Sequence, residues 1–281
     1  MPSLYSTTRG VLAAHGIRPA KALGQHFLVD EATLAFIMTA ADVQPGETVV
    51  EVGGGVGALT QALARRAERV HCLEIDGALV AVLRQTLAEV PNVTVHEADA
   101  LKFPFESLPA PYSVAANIPY QITAPLVDKF IAERERLRRV TLTVQKEVAW
   151  RLTASAGGKD YGVLSVVVAY YFEALRHAEV PPEAFWPRPK VASAVITLEP
   201  RGEAAVEVGR DKEAFFRLIK LAFAQRRKTL RNNLKALRTM GWSAEKVEAA
   251  LEESGIDGGR RAETLSLEEF AAFWRALEAK R

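Results

Sequence analysis

A single cysteine, Cys72, is present in 281 residues. One cysteine cannot form an internal disulfide, and it leaves no Cys-based zinc cluster to consider. It stands in the run 70–75, Val-His-Cys-Leu-Glu-Ile, whose composition is that of a buried strand, so Cys72 is expected in the core. Long apolar runs are lacking as well. No stretch approaches the roughly 18 residues of a membrane span, and the N-terminus shows no basic-then-apolar leader pattern. A cytoplasmic protein with no membrane partner is expected. Nor is there an excess of one charge: 36 basic residues face 34 acidic ones, a formal net charge of +2. Overall charge therefore does not announce a nucleic-acid partner, and any RNA surface must come from local clustering.

Hydrophobic residues at 49% and charged residues at 25% match an ordinary globular protein, and the length has room for one large domain or a large and a small one. Short apolar, β-rich runs fall at 48–52, 70–75, 93–97, 112–116, 140–144, 164–171 and 192–198. Helical patterns fall at 58–66, 77–89, 124–131 and 146–154. This alternation predicts an α/β fold, a mostly parallel Rossmann-like sheet with helices on both faces. The last two strands have no helix between them and are separated by Pro181, Pro182, Pro187 and Pro189, which predicts an antiparallel far edge. Beyond Pro200 the β signal stops, and 212–281 reads as helices broken near Gly241 and across 255–259. The expected domains are 1–200, opening on a helical segment, and a small helical domain over 201–281.

The glycine run Gly53-Gly54-Gly55-Val56-Gly57 follows an apolar strand and precedes a helix. Glycines let the backbone turn sharply and approach a ligand closely. Gly53, Gly55 and Ala58 also satisfy the dinucleotide pattern G-x-G-x-x-G/A, and Glu74, about 20 residues on, stands where an acid takes ribose hydroxyls. These features fit NAD or S-adenosylmethionine equally. Asp99, closing the third strand, can accept from the adenine amine of a cofactor, although taken alone it reads equally as a turn cap. Gly53, Glu74, Asp99 and Asn117 fall at the carboxyl ends of four successive strands, where open α/β sheets bind ligands.

The fourth strand ends in Asn117-Ile118-Pro119-Tyr120. The amine of adenine is a poor nucleophile because its lone pair is delocalised into the ring. Acceptors facing both amine hydrogens favour a pyramidal nitrogen, and the Asn117 side-chain oxygen with a carbonyl at Ile118 or Pro119 supplies two. Pro119 brings no competing N–H, and Tyr120 can stack on the base. In the proline-stiffened segment 185–189, Phe185 could form the opposite face of a base sandwich or simply pack beneath the loop. Farther on, apolar residues such as Phe215, Ile219 and Phe223 and basic residues including Arg227, Lys228 and Arg231 recur at three- and four-residue steps. If helical, the segment carries a basic stripe suited to RNA phosphates, or a solvated face.

These residues closely resemble the bacterial small-subunit (16S) ribosomal RNA adenine N6,N6-dimethyltransferases, the kasugamycin-sensitivity methyltransferase family. The resemblance runs through Lys-Ala-Leu-Gly-Gln-His-Phe-Leu-Val-Asp at 21–30, 51–57, 117–120, Gln-Lys-Glu-Val-Ala at 145–149, Tyr-Gly-Val-Leu-Ser at 161–165, 185–195 and 223–230. It implies S-adenosylmethionine as cofactor and dimethylation of two adjacent adenosines near the 3′ end of 16S rRNA in the small ribosomal subunit or its precursor, with a role in ribosome biogenesis. By motif, His26, Leu28, Gly53, Glu74, Asp99 and Asn117 would contact the cofactor, and Asn117, Tyr120 and Phe185 would handle the base. Ala192 departs from the family's Pro-Lys-Val-Asp-Ser pattern, which puts a peripheral contact in doubt. A monomer is expected. The rival readings are a large-subunit rRNA methyltransferase of the macrolide-resistance type, favoured less by 145–149 and 161–165, an NAD-dependent oxidoreductase, for which no hydride-transfer acid or base is evident, and a non-catalytic assembly factor.

Overall fold

The structure is a computed structural model that describes residues 2–20, 23–209 and 211–281; the Tyr120 side chain lies outside the description. The chain opens with α1 (Leu4–Ala14), β1 (Phe27–Leu28), α2 (Glu31–Ala41), β2 (Thr48–Val52) and α3 (Ala58–Ala64). It continues with β3 (Arg69–Glu74), α4 (Gly77–Thr86), β4 (Val93–Glu97), β5 (Tyr112–Asn117), α5 (Thr123–Glu133), β6 (Leu137–Gln145) and α6 (Lys146–Leu152). Next come α7 (Val163–Tyr171), β7 (Phe172–Val180), β8 (Phe185–Trp186) and β9 (Ser193–Pro200). The C-terminal helices are α8 (Lys212–Ala222), α9 (Leu230–Leu234), α10 (Ala244–Glu253) and α11 (Leu267–Glu278).

Seven strands form one sheet in the order β4-β3-β2-β5-β6-β9-β7. β2 pairs in parallel with β3 and β5, β3 with β4, and β5 with β6. β9 runs antiparallel to β6, in line with the antiparallel far edge expected from the sequence. Strand alternation sends side chains to two faces. Val49, Val70, Ala115 and Val195 join Ile37 of α2 and Leu59 and Leu63 of α3 in one core, and Cys72, fully buried, meets Leu83 of α4. The opposite face carries His71 and His96, stacked at 5.3 Å, and His96 meets Phe103 edge-on at 5.1 Å. There Phe105 packs against Phe130 of α5. A separate two-stranded ribbon pairs Phe27 with Trp186 and Leu28 with Phe185.

The segment 164–171, expected as a strand, is the helix α7, and the strand follows it as β7. Val-Leu-Ser-Val-Val-Val-Ala-Tyr-Tyr is apolar on nearly every side, so no polar face reveals a period of 3.6, and its β-branched residues imitate a strand. Local bonds decide for helix: Ser165 Oγ accepts from Gly162 N at 3.1 Å and donates to the Arg151 carbonyl at 2.6 Å.

The chain divides into two compact units, Met1–Ala149 with Glu173–Pro200, and Trp150–Phe172 with Arg201–Arg281. The second unit thus takes residues 150–172 from the expected 1–200 domain, because Tyr161, Val166 and Tyr170 pack with Phe215, Leu218, Phe270 and Trp274 of the C-terminal helices. Trp274, 1% exposed, also donates its indole N–H to the Val208 carbonyl at 3.0 Å. Among the described residues, no helix is long and apolar enough to cross a membrane.

Candidate cofactor and substrate site

β2 is buried along its whole length between β3 and β5 and delivers the glycine loop at its end. Gly53, Gly55 and Gly57 have φ of 82°, 57° and 89°, a backbone region that only glycine enters without strain. Gly54 is constrained by space instead: a Cβ there would lie 2.2 Å from Cys72 Sγ. The end of β3 holds the loop. Gly53 N donates to the Leu73 carbonyl at 2.8 Å, and Gly55 N donates to Glu74 Oε2 at 2.9 Å. Glu74 Oε1 accepts from Ile75 N at 2.9 Å and Asp76 N at 3.0 Å. Burial pushes the Glu74 carboxyl up from its ordinary pKa, and the three backbone amides oppose that shift. A carboxylate accepts about four hydrogen bonds. With three in place, roughly one acceptor position remains for a ribose hydroxyl.

A cavity of about 340 Å³ opens at these strand ends, and His26, Leu28, Gly53, Glu74, Asp99 and Asn117 all line it. Sequence reasoning therefore named six residues that the fold brings together. Asp99 also caps its own turn, its Oδ1 accepting from Leu101 N at 2.9 Å. The cap and the cavity wall are the same side chain. Asn117, the last residue of β5, donates its Nδ2 to the His26 carbonyl at 3.0 Å. A carbonyl can only accept, so this contact fixes which end of the amide is nitrogen. That bond leaves the side-chain oxygen as the amide's acceptor, on a residue that lines the cavity. Ile118, Pro119 and Gln121 continue the lining.

The segment 23–28 crosses the cavity as a strap. Gln25 bonds Ala20 N through Oε1 at 2.8 Å and Asp76 through Nε2 at 2.9 Å. Asp76 is the N-cap of α4, accepting from Ala78 N at 3.0 Å. His26 Nδ1 lies 2.6 Å from the Pro187 carbonyl, which can only accept, so Nδ1 carries the proton. Gln25 was visible inside the run 21–30 but was given no role; the start of that run, Lys21 and Ala22, lies outside the described residues. Ile75, 56% exposed beside Glu74, forms an apolar part of the wall, and its signal was a bare isoleucine following an acid at a strand end. Glu51, 1% exposed, also lines the cavity; in a strand of valines it read as the opening of the glycine run and nothing more.

Two expectations are corrected. Phe185 is 3% exposed and packs with Leu28, Ile37, Val180 and Val195, so it supports the ribbon from beneath and does not line the cavity. The basic stripe is not one helix. α8 ends at Ala222, and Asn233 Nδ2 pins the following turn by donating to the Ala222 and Gln225 carbonyls at 2.6 and 3.1 Å. Arg227 and Lys228 therefore sit on a loop, beside a shallow surface depression. Arg231 lies on α9 and is engaged by Glu248 at 2.8 Å. The Tyr120 side chain, proposed for base stacking, lies outside the described residues.

The cavity suits S-adenosylmethionine in its donor set. A glycine loop leaves room that Cβ atoms would fill, two buried carboxyls line the wall, and no Lys or Arg lines it among the described residues. The model for the family described as "Ribosomal RNA adenine dimethylase" matches residues 17–278. Among similar proteins, ribosomal RNA small subunit methyltransferase A of Moorella thermoacetica is 45% identical, covering 96% of both chains. The protein of the same name from Geobacter metallireducens is 45% identical over 95% of this chain and 98% of its own. Among solved structures, a dimethyladenosine transferase from Plasmodium falciparum superposes with a TM-score of 0.78 at 26% identity, covering 91% of this chain and 98% of that one. The 23S rRNA methyltransferase ErmE gives a TM-score of 0.71 at 32% identity, over 90% and 99%. With a family match spanning almost its full length, this chain belongs to the ribosomal RNA adenine dimethylases.

Proposed function

We propose that the protein transfers methyl groups from S-adenosylmethionine to the N6 amines of two adjacent adenosines near the 3′ end of 16S rRNA. The observation that carries this reading is the Asn117 amide at the cavity wall, whose nitrogen is held by the His26 carbonyl, which leaves its oxygen as the acceptor. An oxygen so held accepts from the target amine without reorganising, and that interaction strengthens as the nitrogen becomes pyramidal. The carbonyls at Ile118 and Pro119 offer the second acceptor, and Pro119 adds no donor. Glu74, Asp99 and the glycine loop hold the cofactor's ribose, adenine and backbone-facing edges, and His26 and Leu28 close the strap side. The bound cofactor supplies a methyl group already activated on a sulfonium, so these residues need only position and desolvate. The loop with Arg227 and Lys228 contacts RNA phosphates.

Family membership supports the methyltransferase over the NAD-dependent oxidoreductase, and the intact Asn117 site supports chemistry over a purely structural assembly role. The small-subunit relatives at 45% identity favour 16S rRNA over 23S rRNA, although ErmE shares the fold. The RNA is presented by the small subunit or its precursor in the cytoplasm, and the protein acts as a monomer.

Single-turnover methylation of undermethylated small subunits at saturating cofactor tests the mechanism. Asn117→Ala lowers the rate by about 10²–10³-fold, the usual loss for one preorganised polar group. Fold and RNA affinity are retained. A near-normal rate in a folded Asn117→Ala protein would overturn the role given to the amide.

A further inference from the structure

Glu51 is the buried acid that this mechanism leaves unused. It is the penultimate residue of β2, 1% exposed, and it lines the cavity beneath the glycine loop. Its Oε2 has no hydrogen-bond partner. The groups that face it are Thr60 from α3 and Cys72 and Glu74 from β3, and none is a cation. Cys72 is itself fully buried, with its thiol pushed up by burial and by Glu51. Glu74 already holds three backbone amides that stabilise its ionised form. The carboxyl with least compensation for its charge is therefore Glu51, in a wall that holds no Lys or Arg among the described residues.

S-adenosylmethionine brings two positive groups, a sulfonium and an α-ammonium, against one carboxylate. We propose that Glu51 releases its proton to solvent when this cation enters the cavity, which makes cofactor loading a proton-releasing step. The proposal rests on the cofactor reading above. No covalent change is involved: the carboxyl becomes a carboxylate, and the proton leaves to bulk water.

Before loading, burial holds the Glu51 carboxyl up at about 8, with the charge on Glu74 adding to the effect and Thr60 and Cys72 opposing it. An opposite charge within about 4–6 Å lowers a carboxyl pKa by about 1–3. The loaded form then binds fewer protons than the free form, so affinity rises with pH. The steepest rise is about tenfold per pH unit between the loaded and free values, levelling off above the free value.

Calorimetric titration of the full chain with S-adenosylmethionine at pH 7, in buffers of different ionisation enthalpy, counts the protons. The parent is expected to release about 0.4–0.9 proton per cofactor bound, the range that a lowering by about 1–3 from about 8 gives at pH 7. Glu51→Gln, neutral at every pH, is expected to release none and to lose the pH dependence of affinity. Glu51→Met serves the same purpose should the Gln protein fail to fold. Binding to the parent without proton release overturns the inference and leaves the cofactor assignment standing. Equal release from parent and Glu51→Gln also overturns it, placing the proton on Glu74 or elsewhere. No binding to the parent at any pH rejects the cofactor assignment, and this inference with it.

Discussion

Glu74 carries two duties on one carboxyl. It ties the Gly55 amide to the end of β3, and it keeps about one further acceptor position, which the proposed function gives to the cofactor ribose. Glu74→Ala removes both, so cofactor affinity falls by at least the roughly 1.5–3 kcal/mol of hydrogen bonding to a charged group, and the thermal midpoint falls with it. Calorimetry and a melting curve on the same protein check this; unchanged affinity would remove Glu74 from the site. Glu51 sets a pH dependence of the opposite kind from most acids. Its folded pKa, about 8, lies above the 4.5 of an unconstrained carboxyl. Stability from the neutral form is fully present below about pH 4.5 and is lost as pH rises through 8. Cofactor-free parent protein should therefore lose stability relative to Glu51→Gln between pH 5 and 9, by an amount on the order of a few kcal/mol. Parallel melting profiles for the two proteins would show that Glu51 is not held neutral. At this scale the sequence showed which residues gather, because Gly53, Glu74, Asp99 and Asn117 all close strands. It could not show orientation. That Asn117 turns its nitrogen to His26, 91 residues away, depends on the strap and appears in no local pattern.

The glycine loop and the α8–α9 loop are the elements to which the proposed function gives cofactor and RNA contacts. The first was legible because a buried strand, glycines and a helix follow one another in a short span. Its tightest position is not one of the left-handed glycines but Gly54, which meets Cys72 Sγ. Gly54→Ala forces an overlap in a packed core and is expected to cost about 1–3 kcal/mol, more than Gly10→Ala, where a Cβ meets nothing within 4 Å. Denaturant unfolding of the two variants decides it, and equal stabilities would mean that the strand and α4 yield freely. The second loop was legible only as a stripe conditional on one continuous helix, because the periodicity of its apolar residues survives the break between α8 and α9. Replacing Arg227 and Lys228 by Ala should flatten the salt dependence of RNA binding by about 0.7–0.9 per lost phosphate contact, with cofactor affinity unchanged. Arg231→Ala, which breaks the pair with Glu248, should alter RNA binding less. An unchanged salt slope in the double variant would make the loop ordinary surface. The two-residue strands β1 and β8 were beyond sequence reading, since a pair of residues has no period, and Phe185 was drawn toward the base by its motif when its partner Leu28 places it in the core.

At the scale of the whole molecule, alternation of strand and helix was enough to anticipate a largely parallel sheet with an antiparallel edge, because each crossover leaves its own amphipathic signature. The assignment of 150–172 was not, since Tyr161, with Val166 and Tyr170 of α7, joins helices far along the chain. The first unit contains the cavity, the strap and Asn117; the second contains the basic loop. The site and the family together point to one chemistry, dimethylation of the N6 amines of two neighbouring adenosines in small-subunit RNA, as proposed above. The most direct measurement is incubation with isotopically labelled S-adenosylmethionine and undermethylated small subunits, with large subunits in parallel, followed by mass mapping of the RNA fragments. The account predicts label in a single fragment near the 3′ end of 16S rRNA, as two adjacent N6,N6-dimethyladenosines, and none in 23S rRNA. Label confined to 23S rRNA, or none in either RNA while the cofactor binds, would contradict it.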